Sequence, residues 1–209
     1  MQKTSNKSDF SFQKITQISE SHCGPAVVQM LLNNIGINSS QEEITTAAGV
    51  EKTIARNGMR IDHMVTSIAT LDLKARLWYK ARASIEDIRT LLEVHKFPVG
   101  VEWQGIFSKA QEINASTGHY SIVTRVDNTA QELIIVDPYK DYADQDRIIE
   151  KKVFLRRWWD DNTIQNPISH RTQNVHDDKV LFVLTPLSTS FPDDLRMIEG
   201  SQYNAPQDL

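Results

Sequence analysis

The stretch GHYSIVTRVDNTAQELIIVDP, residues 118–138, decides the fold because two β-branched, apolar runs flank a short polar segment. Runs of this kind are typical of strands, and the five residues DNTAQ between them predict an antiparallel hairpin. If the turn is centred near residues 128–130, Asp137 lies opposite Ser121. Because side chains alternate along a strand, His119 then shares a face with Asp137 as its diagonal neighbour.

The chain before the hairpin has helical periodicity. Apolar residues recur at helical spacing over residues 24–35, which predicts a helix that begins at or just after Cys23. Gly36 would end this helix. Pro25 is compatible only with its first turn, where a backbone N–H has no helical partner to lose.

Capping signals mark two further helix starts. Ser40 and Glu43 in SQEE form the pattern of a capping box, so a short helix is predicted to run to Gly49. Ser84 is the expected cap of a helix over SIEDIRTLLEVHKF. The segment GMRIDHMVTSIATL between them also predicts a helix.

The chain around and after the hairpin predicts more strands. PVGVEW and KVLFVLTP are expected strands, and EKKVFLRRWW is an expected amphipathic helix with Val153, Phe154 and Trp158 near the core. Helices followed by an antiparallel sheet are the pattern of an α+β fold. We expect residues 1–14 to be a flexible lead-in, residues 15–187 one domain, and residues 188–209 a polar C-terminal tail.

Composition excludes several classes of protein. The chain has 209 residues and a net charge of −4, which disfavours nucleic acid and anionic membranes as partners. No stretch approaches the roughly 18 apolar residues that span a bilayer. The polar N-terminus lacks a signal-peptide core, so we expect a cytoplasmic protein. The histidines are scattered and no CxxC or HExxH occurs, so neither a metal nor an organic cofactor is predicted.

The only cysteine, Cys23, has two interpretations. Lone cysteines are commonly small buried hydrophobes. A cysteine at a helix N-terminus can instead be a nucleophile, because the helix dipole and free N–H groups favour the thiolate. Gly24 would let a substrate approach the sulfur.

A nucleophilic cysteine needs a base, and His119 is the histidine best placed to serve as one. His119 opens a strand, whereas the side chain of His22 points away from its neighbour Cys23. The remaining histidines are expected in helices (His63 and His95) or in a polar loop (His170 and His176).

Asp137 and Gln17 complete the candidate group. Asp137 ends an apolar run, where a carboxylate needs a partner, although it is also compatible with a simple turn before Pro138. Gln17 is the candidate oxyanion donor together with the backbone N–H of Cys23, and Gln13 on the same segment is its competitor. Three aromatic residues either line a cleft or pack in the core: Trp78, Trp103 and Tyr120.

Gln17, CGPA from Cys23, GHY from Gly118 and VDP from Val136 together resemble papain-like cysteine peptidases. The bacterial family that processes double-glycine leader peptides is the most similar, over residues 13–186. The resemblance implies a papain-like catalytic domain with Cys23 as nucleophile, His119 as base, Asp137 as orienting residue and Gln17 as oxyanion donor.

The resemblance further implies cleavage of a peptide or amide bond through a thioester acyl-enzyme, with a peptide or peptide-like substrate. Two alternatives remain open: an acyl transferase that uses the same residues, and a catalytically silent peptide-binding module. His22 stands where many members of the family carry an acidic residue.

Overall fold

The computed structural model describes residues 10–107, 117–165 and 171–202. The helices are α1 Cys23–Asn34, α2 Gln41–Ala47, α3 Ile54–Asn57, α4 Ile61–Thr70, α5 Ile85–Glu93 and α6 Lys151–Arg157. The strands are β1 Ala75–Lys80, β2 Val99–Gln104, β3 Gly118–Asp127, β4 Glu132–Val136, β5 Asp146–Glu150, β6 Trp159–Gln165, β7 Thr172–Asp178, β8 Leu181–Pro186 and β9 Ile198–Glu199.

Local signals placed the starts of α1, α2 and α5 correctly, whereas α3 was not predicted. Helix α1 begins at Cys23 with Pro25 in its first turn, and Gly36 follows its end at a φ of 80°, where a side chain would be strained. At α2 the Ser40 hydroxyl accepts the Glu43 N–H, and the Glu43 carboxylate accepts the Ser40 N–H. Ser84 caps α5 in the same way.

The main sheet has seven antiparallel strands in the order β5-β4-β3-β2-β8-β1-β9, and β6 and β7 form a separate two-stranded ribbon. Strands β2, β3, β4 and β8 lie where the sequence predicts them. Strands β1, β5, β6, β7 and β9 were not predicted. Helices precede most of the antiparallel sheet, so the predicted α+β class is confirmed.

Two histidines lie in other elements than expected. His176 is in β7 rather than in a loop, and its Nδ1 is 2.7 Å from Asp161 Oδ1 on the neighbouring strand. Polar residues on both faces of this ribbon concealed the strand period. His95 lies just beyond the end of α5, where its ring packs 5.2 Å from Phe191. His170 is outside the described residues.

Both faces of the main sheet are buried. On one face, α1, α2 and α4 pack on a cluster that includes Tyr120, Ile122 and Phe182. On the other face, α5 and α6 pack on Trp103 and its neighbours. Phe154 of α6 and Trp158 just after this helix are almost fully buried and Val153 is partly buried, as the amphipathic pattern predicts. Burial on both sides fixes the sheet between two helical layers.

The ends of the described chain contact the domain. Phe12 packs against the first cluster, and Lys14 pairs with Asp146 at 3.0 Å. Near the C-terminus, Phe191 packs edge-on against Trp78 at 5.4 Å, and β9 extends the sheet beside β1. The boundaries of the lead-in, domain and tail stay predictions. Among the described residues, no helix is long and apolar enough to cross a membrane.

Candidate active site

A β-bulge brings Asp137 to the same face as His119. Near the turn, Asp127 pairs with Glu132, a register that would place Asp137 opposite Ile122 and away from His119. Between Val123 and Arg125 the register shifts by one residue, which leaves Thr124 as the extra residue. Beyond the bulge Ile122 pairs with Val136, so Asp137 follows opposite Ser121. A one-residue shift exchanges the faces of a strand, and here it creates the predicted diagonal pair.

His119 and Asp137 form a buried hydrogen bond. His119 Nε2 lies 2.8 Å from Asp137 Oδ1, and the two side chains are 3% and 0% exposed. The same oxygen accepts the Tyr139 N–H at 3.0 Å. A Cβ at Gly118 would come within 2.2 Å of the Asp160 carboxylate, so a side chain there would displace Asp160. The hydrogen bond to the buried Asp137 carboxylate orients the imidazole.

The Cys23 thiol lies close enough to the His119 ring to raise the pKa of that ring. Because Nε2 is bonded to Asp137, Nδ1 is the ring nitrogen left for the sulfur. Cys23 is buried at the first position of α1, so it belongs both to the apolar core and to this polar group. The ring of Phe107 stands edge-on to His119 at 4.9 Å and covers it.

The charges in this group favour a protonated imidazole. Burial alone would lower the pKa of His119, but Asp137 and the Cys23 sulfur outweigh burial and raise the pKa of His119 to about 10. Burial would raise the pKa of Asp137, whereas His119, the Tyr139 N–H and Arg147 hold that pKa below its usual value. A protonated imidazole beside the sulfur is the arrangement that stabilises a thiolate.

Gln17 is buried beside the Asp137–Pro138 corner. Its backbone N–H donates to Pro138 O at 2.9 Å, and its Nε2 donates one hydrogen to Ser19 O at 2.8 Å. Gln13, the competing glutamine, is exposed. The structure thus brings Gln17 and not Gln13 to the corner that ends β4. Its role as oxyanion donor stays a prediction.

The prediction that Gly24 makes room for a substrate beside the sulfur is wrong. A Cβ on Gly24 would meet the Met59 side chain at 3.2 Å, Met59 O at 3.3 Å and Met64 Cε at 3.3 Å. The missing side chain therefore allows α1 to pack closely on the chain that leads into α4, and the space that it leaves is filled by protein.

Arg147 was not predicted from the sequence. It lies on β5, and its Nη1 donates to Asp137 Oδ2 at 2.6 Å. No motif or periodicity marks it, because β5 is a short strand of mixed exposure. Of the three aromatic residues considered for a cleft, Trp103 is fully buried below the Arg147 guanidinium, 5.7 Å from it.

The sequence profile of the Peptidase_C39 like family matches residues 9–165, which is most of the chain. The chain belongs to this family. Within it, the predicted resemblance to double-glycine leader peptidases and the predicted class of enzyme, a cysteine peptidase, are confirmed. No protein with a curated description matches the chain.

Two solved structures share the fold of this Peptidase_C39-like chain. The peptidase domain of Streptococcus ComA, a bi-functional ABC transporter involved in quorum sensing, is 20% identical with a TM-score of 0.54, covering 82% of this chain and 96% of that one. A double glycine motif protease from an AMS/PCAT transporter, in complex with the leader peptide, is 16% identical with a TM-score of 0.52, covering 84% and 92%. The predicted papain-like fold is confirmed.

A buried acidic cluster lies behind Gly118 in this Peptidase_C39-like chain. Glu102 accepts the Tyr120 hydroxyl at 2.7 Å and the Asn162 amide at 3.2 Å. Burial, followed by the charges of Asp177 and Asp160, raises the pKa of Glu102 to about 8. Glu102 and Tyr120 also line a cavity of about 90 Å³. Within the described residues, no three His, Cys, Asp or Glu side chains are grouped to hold a metal ion.

Glu102→Gln is expected to flatten the pH dependence of stability. The folded-state pKa of Glu102, about 8, lies above its ordinary value, so this proton stabilises the fold fully at low pH. That contribution is lost as the pH rises towards 8. The wild-type melting temperature should fall between pH 5 and pH 9 by about 5 °C or more beyond any fall in the glutamine variant. Glu51→Gln, at an exposed turn, is the control and should follow the wild type. Equal falls in all three proteins would contradict a protonated Glu102.

Proposed function

We propose that this protein cleaves a peptide bond by nucleophilic attack of Cys23, with His119 as proton carrier, Asp137 as its orienting residue and Gln17 as oxyanion donor. One observation carries the proposal. The His119 ring is bonded through Nε2 to a buried carboxylate, and the chain's sole sulfur lies close enough to raise the pKa of that ring. This is the nucleophile, base and orienting group that thiol acyl transfer requires.

In the acylation step the Cys23 thiolate attacks the substrate carbonyl carbon, and a C–S bond forms as the carbonyl π electrons move onto oxygen. The resulting oxyanion would be stabilised by the Cys23 N–H, free at the start of α1, and by the second Nε2 hydrogen of Gln17. His119 then gives its Nδ1 proton to the leaving nitrogen, and the C–N bond breaks. The products of this step are a free amine and a thioester on Cys23.

In the deacylation step His119 Nδ1 takes a proton from water while the water oxygen attacks the thioester carbon. The second tetrahedral intermediate collapses with loss of the Cys23 thiolate, which releases the carboxylate product and restores the imidazolium. Asp137 remains ionised in both steps and holds the Nε2–H, so that Nδ1 always faces the sulfur. No external redox partner or metal takes part in this sequence.

The proposed substrate is a peptide or a peptide-like segment. The AMS/PCAT protease of similar fold is described in complex with a leader peptide, which makes an extended peptide the first substrate to test. Hydrolysis is proposed over acyl transfer to an amine because water needs no further binding site.

Wild-type Cys23 is expected to react with iodoacetamide nearly as fast at pH 6 as at pH 8, because an imidazolium keeps it ionised. A free thiol of pKa about 8.5 would slow roughly 80-fold over the same range. The measurement is the alkylation rate followed by intact mass. The same protein unfolded in urea is the control, since Cys23 is the only cysteine and should then follow the free-thiol profile.

The proposal is contradicted if Cys23 in the folded protein has the same pH profile of alkylation as in the unfolded control. An activated thiol without cleavage across a library of peptides would indicate the silent binding module. Cleavage products that carry an added amine in place of a new carboxylate would indicate an acyl transferase.

A further inference from the structure

Both oxygens of the Asp137 carboxylate are occupied. Oδ1 accepts from His119 and from the Tyr139 N–H, and Oδ2 accepts from Arg147 Nη1 at 2.6 Å. The Arg147 side chain is only 10% exposed. An arginine contact of this length to a buried carboxylate is a strong charge-assisted hydrogen bond. Arg147 is therefore the fourth member of the polar group that contains Cys23, His119 and Asp137.

The sheet register directs Arg147 at Asp137. On β5, Arg147 pairs with Ile135 of β4, two residues before Asp137. Residues two apart on a strand share a face, so Arg147 and Asp137 are diagonal neighbours on the face that carries His119. The three residues therefore extend across the ends of three adjacent strands.

The guanidinium is held by other contacts in addition to its ion pair with Asp137. Its carbon lies 3.9 Å from the centroid of the Tyr142 ring and 5.7 Å from that of Trp103, which are cation–π distances on two sides. Its Nη2 donates to the backbone carbonyl of Ile106. A cation held through two of its nitrogens and against two aromatic rings has little freedom to leave the carboxylate.

The carbonyl of Ile106 belongs to a segment that covers His119. Arg157 holds the two preceding carbonyls, with Nε donating to Gln104 O at 2.8 Å and Nη2 to Gly105 O at 3.1 Å. The next residue is Phe107, whose ring stands edge-on to His119. A Cβ at position 105 would lie 2.5 Å from that ring, so a side chain there would displace the ring.

We propose that Arg147 is a positioning residue for the reaction: it fixes the Asp137 carboxylate towards His119 and, through the Ile106 carbonyl, ties the segment carrying Phe107 to the same carboxylate. This inference rests on the proposed function. Arg147 itself touches neither the sulfur nor the reacting carbonyl.

The charged and titratable groups around this cluster are of both signs. From the described elements they are Cys23 of α1, His119 of β3, Asp137 at the end of β4, Arg147 of β5, Tyr139 and Tyr142 of the connection to β5, Arg157 of α6 and the Lys14–Asp146 pair. Loss of the Arg147 cation removes a positive charge from the region of the thiolate. It also lets the pKa of Asp137 rise, and a neutral Asp137 would no longer support the imidazolium. Both effects favour the protonated thiol.

The test compares the alkylation profile of Cys23 in the wild type, Arg147→Gln, Arg147→Lys and Arg125→Gln. The pH midpoint of the acidic limb should rise by roughly half to one pH unit in Arg147→Gln, since a cation is lost. It should stay within about 0.3 unit of wild type in Arg147→Lys, which keeps the charge. Arg125 pairs with Asp127 near the turn of the hairpin, so Arg125→Gln removes an arginine from the same sheet and should not move the midpoint.

A general loss of packing would lower the alkylation rate of Cys23 without moving its pH midpoint. An unshifted midpoint in a folded Arg147→Gln variant overturns the inference. If that variant does not fold, Arg147→Lys decides. One ammonium cannot contact both Asp137 Oδ2 and the Ile106 carbonyl as the guanidinium does, so kcat for peptide cleavage should fall several-fold while the alkylation profile of Cys23 stays near that of the wild type. A wild-type kcat in Arg147→Lys then overturns the inference. A wild-type protein with a free-thiol profile overturns the proposed function, and this inference with it. An acid-shifted wild type with unshifted variants overturns the inference alone.

Discussion

Replacing His119 by alanine is expected to lower kcat/KM for peptide cleavage by about 10,000-fold, because the reaction loses its proton carrier. It should also return the alkylation profile of Cys23 to that of a free thiol, since the imidazolium beside the sulfur is gone. The fold should survive, because Asp137 keeps its contacts with Arg147 at 2.6 Å and with the Tyr139 N–H at 3.0 Å. The measurements are steady-state cleavage, alkylation rate against pH, and circular dichroism.

His176→Ala is the matched control for this variant. His176 also pairs with an aspartate, Asp161, at 2.7 Å, but the pair is exposed on the β6–β7 ribbon, so its loss should leave cleavage unchanged. Asp137→Asn should cost less than His119→Ala, because Asp137 orients the ring without carrying the proton. Cleavage at the wild-type rate by a folded His119→Ala variant would remove His119 from the mechanism.

Replacing Gln17 by alanine is expected to lower kcat for peptide cleavage by about 100- to 1,000-fold, the usual cost of removing one oxyanion donor. KM should change little, because the oxyanion exists only in the tetrahedral intermediate. The alkylation rate of Cys23 should also stay near the wild-type value, since alkylation forms no oxyanion. Parallel measurements of kcat and of alkylation therefore separate loss of oxyanion stabilisation from damage to the Cys23–His119 pair.

Gln13→Ala controls for the loss of a glutamine from the same segment. Gln13 is exposed four residues earlier, so its removal should not change kcat. A drop in both kcat and alkylation in Gln17→Ala would show that Gln17 acts through the structure of the corner at Pro138, to which its backbone is bonded. Unchanged kcat in Gln17→Ala would leave the Cys23 N–H as the only proposed donor.

Local sequence signals were sufficient where the structure depends on neighbours along the chain. The Ser40–Glu43 and Ser84 caps, the start of α1 at Cys23 and the apolar strands β3 and β4 are each encoded within a few residues. Strands β6 and β7 escaped prediction because their ribbon alternates exposed and half-buried polar residues. Strand β5 escaped because it is short and lies at the edge of the sheet.

The sequence by itself determined the α+β class, the helix that begins at the sole cysteine, and the pairing of His119 with Asp137 as a hypothesis. Whether that pair could form depended on one residue, Thr124, which the pairing partners leave over as a bulge. Without the bulge, the register of the hairpin end would turn Asp137 to the opposite face. The alternation of apolar residues in a hairpin does not reveal a bulge, because the packing of both strands determines which residue is left unpaired.

Only the tertiary structure brought Arg147 to Asp137 and buried Glu102 among other carboxyls. Both effects come from residues distant in sequence, and both depend on the removal of water around a charge. The sequence shows the same residue type whether a carboxylate on a strand faces solvent, a guanidinium or another acid. Its charge and orientation are fixed by that surrounding, because the energy of a charge depends on its neighbours in space.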